Sequence, residues 1–67
     1  MEFPEKMNPS EWQILRKELK LAGMLSSQSN NMQTQMLTIR DSRGRGICAY
    51  KWAGDKWVRN DGLLLLR

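Results

Sequence analysis

The hydrophobic period of this chain changes once, from about 3.6 residues before position 32 to two after it, which confines the fold to a helix followed by a sheet. The helix start is written at Asn8. Asn8 suits an N-cap, Pro9 suits the first helical position, and Glu11 three residues on completes a capping-box pattern. Met7 before the cap and Trp12 at the fourth helical position fit a hydrophobic staple. At roughly 100° per residue, Trp12, Leu15, Leu19 and Ala22 form one stripe, and Gln13, Arg16, Lys17 and Lys20 form the opposite, basic face. A second apolar set, Ile14, Leu21 and Leu25, lies beside the first, with Glu11 and Glu18 in the gap between them. The pattern predicts a helix over 8–25 and a polar loop over 26–31, with residues 1–7 as a loose arm.

From Met32 the period is that of strands. Gln33 to Arg40, Arg45 to Ala53, Lys56 to Asn60 and the short Leu63 to Arg67 read as four strands. They are separated by Asp41-Ser42-Arg43-Gly44, Gly54-Asp55 and Asp61-Gly62. The expected fold is therefore α+β: one N-terminal amphipathic helix packed on a four-stranded antiparallel β-meander, a single domain spanning 1–67.

Turn chemistry sets which residues share a face. Asp41 and Gly44 suit a type I turn with a glycine bulge, which pairs Asp41 with Arg45 and Ile39 with Ile47. The two-residue Gly54-Asp55 turn pairs Trp52 with Trp57 and Tyr50 with Arg59. This preferred register puts Leu37, Ile39, Ile47, Ala49 and Val58 on one face, and Met36, Cys48, Tyr50, Trp52, Trp57 and Arg59 on the other. A shift of one residue in the first hairpin would instead bring Leu37 and Ile39 to the aromatic side.

At 67 residues a single core rarely contributes more than about 3–5 kcal/mol of net stability without help. One cysteine, Cys48, permits no internal disulfide, and the absence of histidine leaves no plausible zinc site. Oligomerisation is the remaining support, so a homo-oligomer is expected. No stretch approaches the ~18 apolar residues of a membrane span. Residues 1–6 lack the basic-then-apolar layout of a signal peptide, so a cytoplasmic location and no membrane partner are expected.

The same inventory argues against catalysis. There is no histidine to act as base, no glycine-rich phosphate loop and no paired carboxylates, and Cys48 sits mid-strand as a packed thiol. Neither an enzyme nor a cofactor is expected. The formal charge of +4 is concentrated in residues 32–67, where Arg40, Arg43, Arg45, Lys51, Lys56, Arg59 and Arg67 outnumber Asp41, Asp55 and Asp61. Such an electropositive half suits nucleic acid or an acidic protein partner.

Two functional readings follow. In the first, the protein binds nucleic acid: Arg40, Arg43 and Arg45 at the first hairpin tip contact phosphates, while Tyr50, Trp52 or Trp57 stacks on bases beside Arg59. The competing reading of the aromatics is ordinary core beneath Trp12, and that of the arginines is a charged tip that blocks edge pairing. In the second, the chain is a protein-interaction module, an adaptor or small regulator, docking through an uncovered apolar sheet face and the stripe Ile14, Leu21 and Leu25.

Overall fold

The computed structural model describes residues 2–29 and 35–65. Residues 30–34, 66 and 67, which include the expected start of the first strand and the end of the last, lie outside the described residues. Strand β1 (Lys6–Met7) leads into helix α1 (Pro9–Leu21), followed by β2 (Leu25–Gln28), β3 (Met36–Arg40), β4 (Gly46–Trp52) and β5 (Trp57–Arg59), with a 3-10 helix over Asp61–Leu65. The strands form one antiparallel sheet in the order β1-β5-β4-β3-β2. Among the described residues the sheet thus has five strands, not the expected four.

The helix begins as its sequence dictates. Asn8 accepts from the Glu11 amide at 2.8 Å, and its own amide donates to Glu11 Oε1 at 3.0 Å, so the capping box closes in both directions. Met7 and Trp12, the staple pair, are both buried in the core.

The helix ends four residues earlier than expected. Gly23 takes φ +74, its amide donates to the Lys20 carbonyl oxygen at 3.2 Å, and the Met24 amide donates to that of Leu19 at 2.9 Å. This is a Schellman termination, which needs a left-handed residue that glycine supplies without steric cost. The chain reverses there, so Leu25 opens β2 instead of continuing the helical stripe.

The first hairpin contains both the expected turn and a second irregularity. The Gly44 amide donates to the Asp41 carbonyl oxygen and the Asp41 amide to that of Arg45, each at 2.9 Å, with Gly44 at φ +86. Arg40 pairs with Gly46, but Ile39 pairs with Cys48, so Ile47 is one residue extra in β4. A bulge of this kind exchanges the faces beyond it. Leu37 therefore lies opposite Tyr50, and the preferred pairing of Ile39 with Ile47 is replaced by the one-residue shift. The shifted register gathers Leu37, Ile39, Cys48, Tyr50 and Trp57 on the face that α1 covers with Trp12, Leu15 and Leu19. Ile47, turned by the bulge, packs against the same cluster. Burial on one rich face is the larger energetic gain, since each fully buried large apolar side chain contributes about 1.5–3 kcal/mol.

The second hairpin matches its expected pairing, Trp52 with Trp57 and Tyr50 with Arg59. Gly54 at φ +95 is the first of the two turn residues, the position where a II′ turn demands glycine. Beyond β5, Leu63 to Leu65 do not form the expected strand. Asp61 Oδ1 accepts from the Ala49 amide at 3.3 Å, occupying a ladder position on β4 that a strand carbonyl would fill. The chain turns into the 3-10 helix instead and places Leu64 against Gly46, where an added Cβ would lie 3.0 Å from Leu64 Cδ2.

Candidate nucleic-acid interface

The sequence-nominated residues divide sharply by burial. Tyr50 has no exposed surface and Trp57 is 4% exposed, so neither ring offers a face for stacking. Trp52 is half-buried, its ring centroid 4.9 Å from that of Trp57 in an edge-on arrangement. With Trp12, Gln13, Gln28 and Gln35 the two rings line a shallow cleft of about 370 Å³. The indole N–H of Trp12 is buried there without an acceptor among the described residues.

Tyr50 and Arg59 spend their polar atoms on the N-terminal segment. The Tyr50 hydroxyl donates to the Pro4 carbonyl oxygen at 2.6 Å, and Arg59 Nη1 donates to that of Phe3 at 3.1 Å. Arg59 also grips Asp61 bidentately, Nε to Oδ1 and Nη2 to Oδ2, each at 3.1 Å. This pairing stabilises the charged form of both partners: it raises the affinity of Arg59 for its proton and holds the Asp61 carboxyl below its usual range. Arg59 is therefore a structural residue, and its backbone amide completes the attachment by donating to the Glu5 carbonyl oxygen at 2.8 Å. These anchors convert part of the expected loose arm into β1.

Arg40, Arg43 and Arg45 do meet at the first hairpin. Arg43 and Arg45 are exposed, and half-buried Arg40 reaches the Gly44 carbonyl oxygen with Nη1 at 3.3 Å. Asp41 sits inside this tip, its Oδ1 accepting from the amides of Arg43 and Arg45 at 2.9 Å each. That carboxylate shapes the turn and offsets part of its charge.

The register also places several cations on one face, a grouping that the sequence reading did not make. Lys6 alternates with buried Met7, and Lys51 lies between Tyr50 and Trp52, so both point away from the helix. Both pair with Val58 across the sheet, which sets their Cα atoms two strand spacings, about 10 Å, apart. Lys56 precedes buried Trp57 and closes the second hairpin opposite Ala53, on the same side. Arg40 alternates with buried Ile39 and so lies on the same face, four positions along β3 from Met36, the partner of Lys51. No Asp or Glu occurs in any of the five strands. The face opposite the helix thus carries Lys6 and Lys51 on either side of Val58 and is partly covered by the 3-10 helix near Gly46 and Ala49. Strand alternation would have found these lysines, had the face bearing Val58 and Ala49 not been assigned to apolar packing with Leu37 and Ile39.

The stripe nominated for protein docking is divided in the fold. Ile14, Leu21 and Leu25 are all exposed, but Leu25 belongs to β2, beyond the helix end. Among the described residues no group of three His, Cys, Asp or Glu side chains is placed to hold a metal ion, and no helix is long and apolar enough to cross a membrane. No protein-family model, curated protein or solved structure matches the chain.

Proposed function

We propose that this chain is a small nucleic-acid-binding protein that holds the phosphate backbone against the sheet face opposite its helix. The observation that carries the reading is the sign of the strand charges on that face: Lys6, Lys51 and Arg40 without a strand carboxylate, extended by Lys56 and by Arg43 and Arg45 at the hairpin tip. Lysines whose Cα atoms lie about 10 Å apart carry long stems that suit an irregular run of phosphates, and guanidinium groups at the tip add bidentate donors. Because Tyr50 and Trp57 are buried and half-buried Trp52 lines the cleft on the helix side, recognition on the open face is electrostatic. Such binding follows counterion release and is largely indifferent to sequence.

Titration of fluorescently labelled single- and double-stranded oligonucleotides at low salt tests this. Binding with a dissociation constant on the order of 10⁻⁵ M or tighter, weakening steeply as salt rises, is the expected result. Absence of binding, or binding indifferent to salt, overturns it. A second reading, docking on an acidic protein, draws on the same cations and on exposed Ile14 and Leu21. It predicts that substituting these two apolar residues abolishes partner capture while oligonucleotide binding is absent.

A further inference from the structure

The two edges of this sheet are built differently. β1 is two residues long, carries Lys6 and follows Pro4, features that discourage another strand from joining. At the other edge β2 is Leu25-Ser26-Ser27-Gln28, with no charge, proline or bulge and with all four residues exposed. Among the described residues β2 has a strand on one side only.

The direction of its backbone groups follows from one bond. The Ser29 amide donates to the Met36 carbonyl oxygen at 2.9 Å, continuing the β2–β3 register by one pair. In an antiparallel ladder, hydrogen-bonded and non-hydrogen-bonded pairs alternate. Ser27 and Leu25 therefore turn their amides and carbonyls towards β3, and Ser26 and Gln28 turn theirs outwards.

We infer that β2 pairs with β2 of a second copy of this chain, in antiparallel register about a two-fold axis at Ser27. Ser26 then lies opposite Gln28 of the second copy and Gln28 opposite its Ser26, and these are the residues whose backbone groups point outwards. The two pairs form four interchain hydrogen bonds with no change in the β2–β3 ladder. Side-chain parity is satisfied as well, because residues paired across the axis keep to the same face of the sheet. A strand that satisfies its own open edge this way is the self-complementary surface that a two-fold interface requires. The result is one continuous ten-stranded sheet with both helices on the same side. Gln13 lines a cleft with Gln28, and Arg16 and Lys20 share the helix flank of Gln13, so the basic flanks of the two helices approach one another. Salt screens that repulsion and tightens the dimer, the opposite of its effect on nucleic-acid binding.

Sedimentation equilibrium from about 10 µM to about 1 mM tests the inference. The full chain is expected to dimerise, more tightly at high salt. Ser26→Pro removes an outward amide hydrogen and no ladder bond, and it is expected to raise the dimer dissociation constant by about tenfold or more. The double variant Ser26→Lys with Gln28→Lys keeps every backbone donor and sets like charges opposite each other; it is expected to be monomeric with unchanged circular dichroism. A wild-type chain monomeric throughout, a dimer that persists in both variants, or a dimer that weakens with salt overturns the pairing.

Discussion

The Tyr50 hydroxyl donates to the carbonyl oxygen of Pro4 at 2.6 Å, joining the buried centre of β4 to a segment 46 residues away in sequence. With Arg59 on Phe3 and Glu5, this bond holds β1 on the sheet. Tyr50→Phe retains the ring and removes the donor, leaving a carbonyl with a lost partner. The expected cost is about 1 kcal/mol, seen as a lower thermal midpoint. Amide exchange should quicken at Arg59, whose N–H bonds Glu5, more than at Ile39 in the sheet centre. An unchanged midpoint and unchanged exchange at Arg59 would show that the bond contributes nothing.

Acid stability should depend on Asp61. Arg59 and the Ala49 amide hold its carboxyl below its usual pKa of 3.8, so the folded chain binds this proton less readily than the unfolded one. The stabilisation is complete above the unfolded value and is lost as pH falls through the lower folded value. Its size is modest because the pair is solvent-screened, with the Asp61 side chain 49% exposed. Thermal midpoints measured from pH 6 downwards should decline below about 4. Asp61→Asn, which keeps an acceptor for the Ala49 amide, should flatten that decline. An equally steep acid limb in the variant would assign it to other carboxylates.

Burial acts on the alkaline side. It pushes the Cys48 thiol from 9.0 to about 11 and the Tyr50 phenol from 10.0 to about 12. Both groups are neutral when protonated, so the unfolded chain ionises first, and stability is full below about 9 and falls as pH rises towards 12. In Cys48→Ala the onset should move from about 9 to about 10, whatever the change in overall stability. Wild-type Cys48, fully buried, should also fail to react with a thiol reagent at pH 8 until the chain is unfolded. Rapid labelling of the folded protein would contradict this placement.

Features carried by local chemistry were legible before the fold was known. The capping box at Asn8 and Glu11, the Asp41 turn and the Gly54 hairpin each depend on a few adjacent residues, and each formed as read. What failed depended on contacts distant in sequence. Nothing in Lys6-Met7 marks a strand; β1 exists because Tyr50 and Arg59 seize residues 3–5. β2 is a serine-rich edge, tied through Ser27 Oγ and Thr38 Oγ1 at 2.6 Å to a residue eleven positions on. The Ile47 bulge lies beside Gly46, but its register is fixed by the benefit of bringing Leu37 and Ile39 under Trp12 and Leu19. That single residue also decided the site. With the faces exchanged, Tyr50 and Trp57 joined the core and Lys51 stayed on the face opposite the helix. The position of Arg43 and Arg45 at the first turn was legible, because turn residues do not depend on which face is buried.

The open-face reading makes a quantitative statement about Lys51 and Lys56. If each neutralises one phosphate of a single strand, each contributes about 0.7 to the slope of log affinity against log salt. The double variant Lys51→Gln with Lys56→Gln should therefore bind more weakly at low salt and show a slope shallower by roughly 1.4. Both side chains sit at the surface, outside the core cluster, so thermal stability should stay within about 0.5 kcal/mol of wild type. Arg43→Gln at the tip, a single exposed contact, should change the slope by about half as much. Tyr50→Phe should leave the slope unchanged, since its hydroxyl is committed to Pro4. A double-lysine variant with the wild-type slope, beside a tip variant that loses binding, would move the interface from the open face to the hairpin.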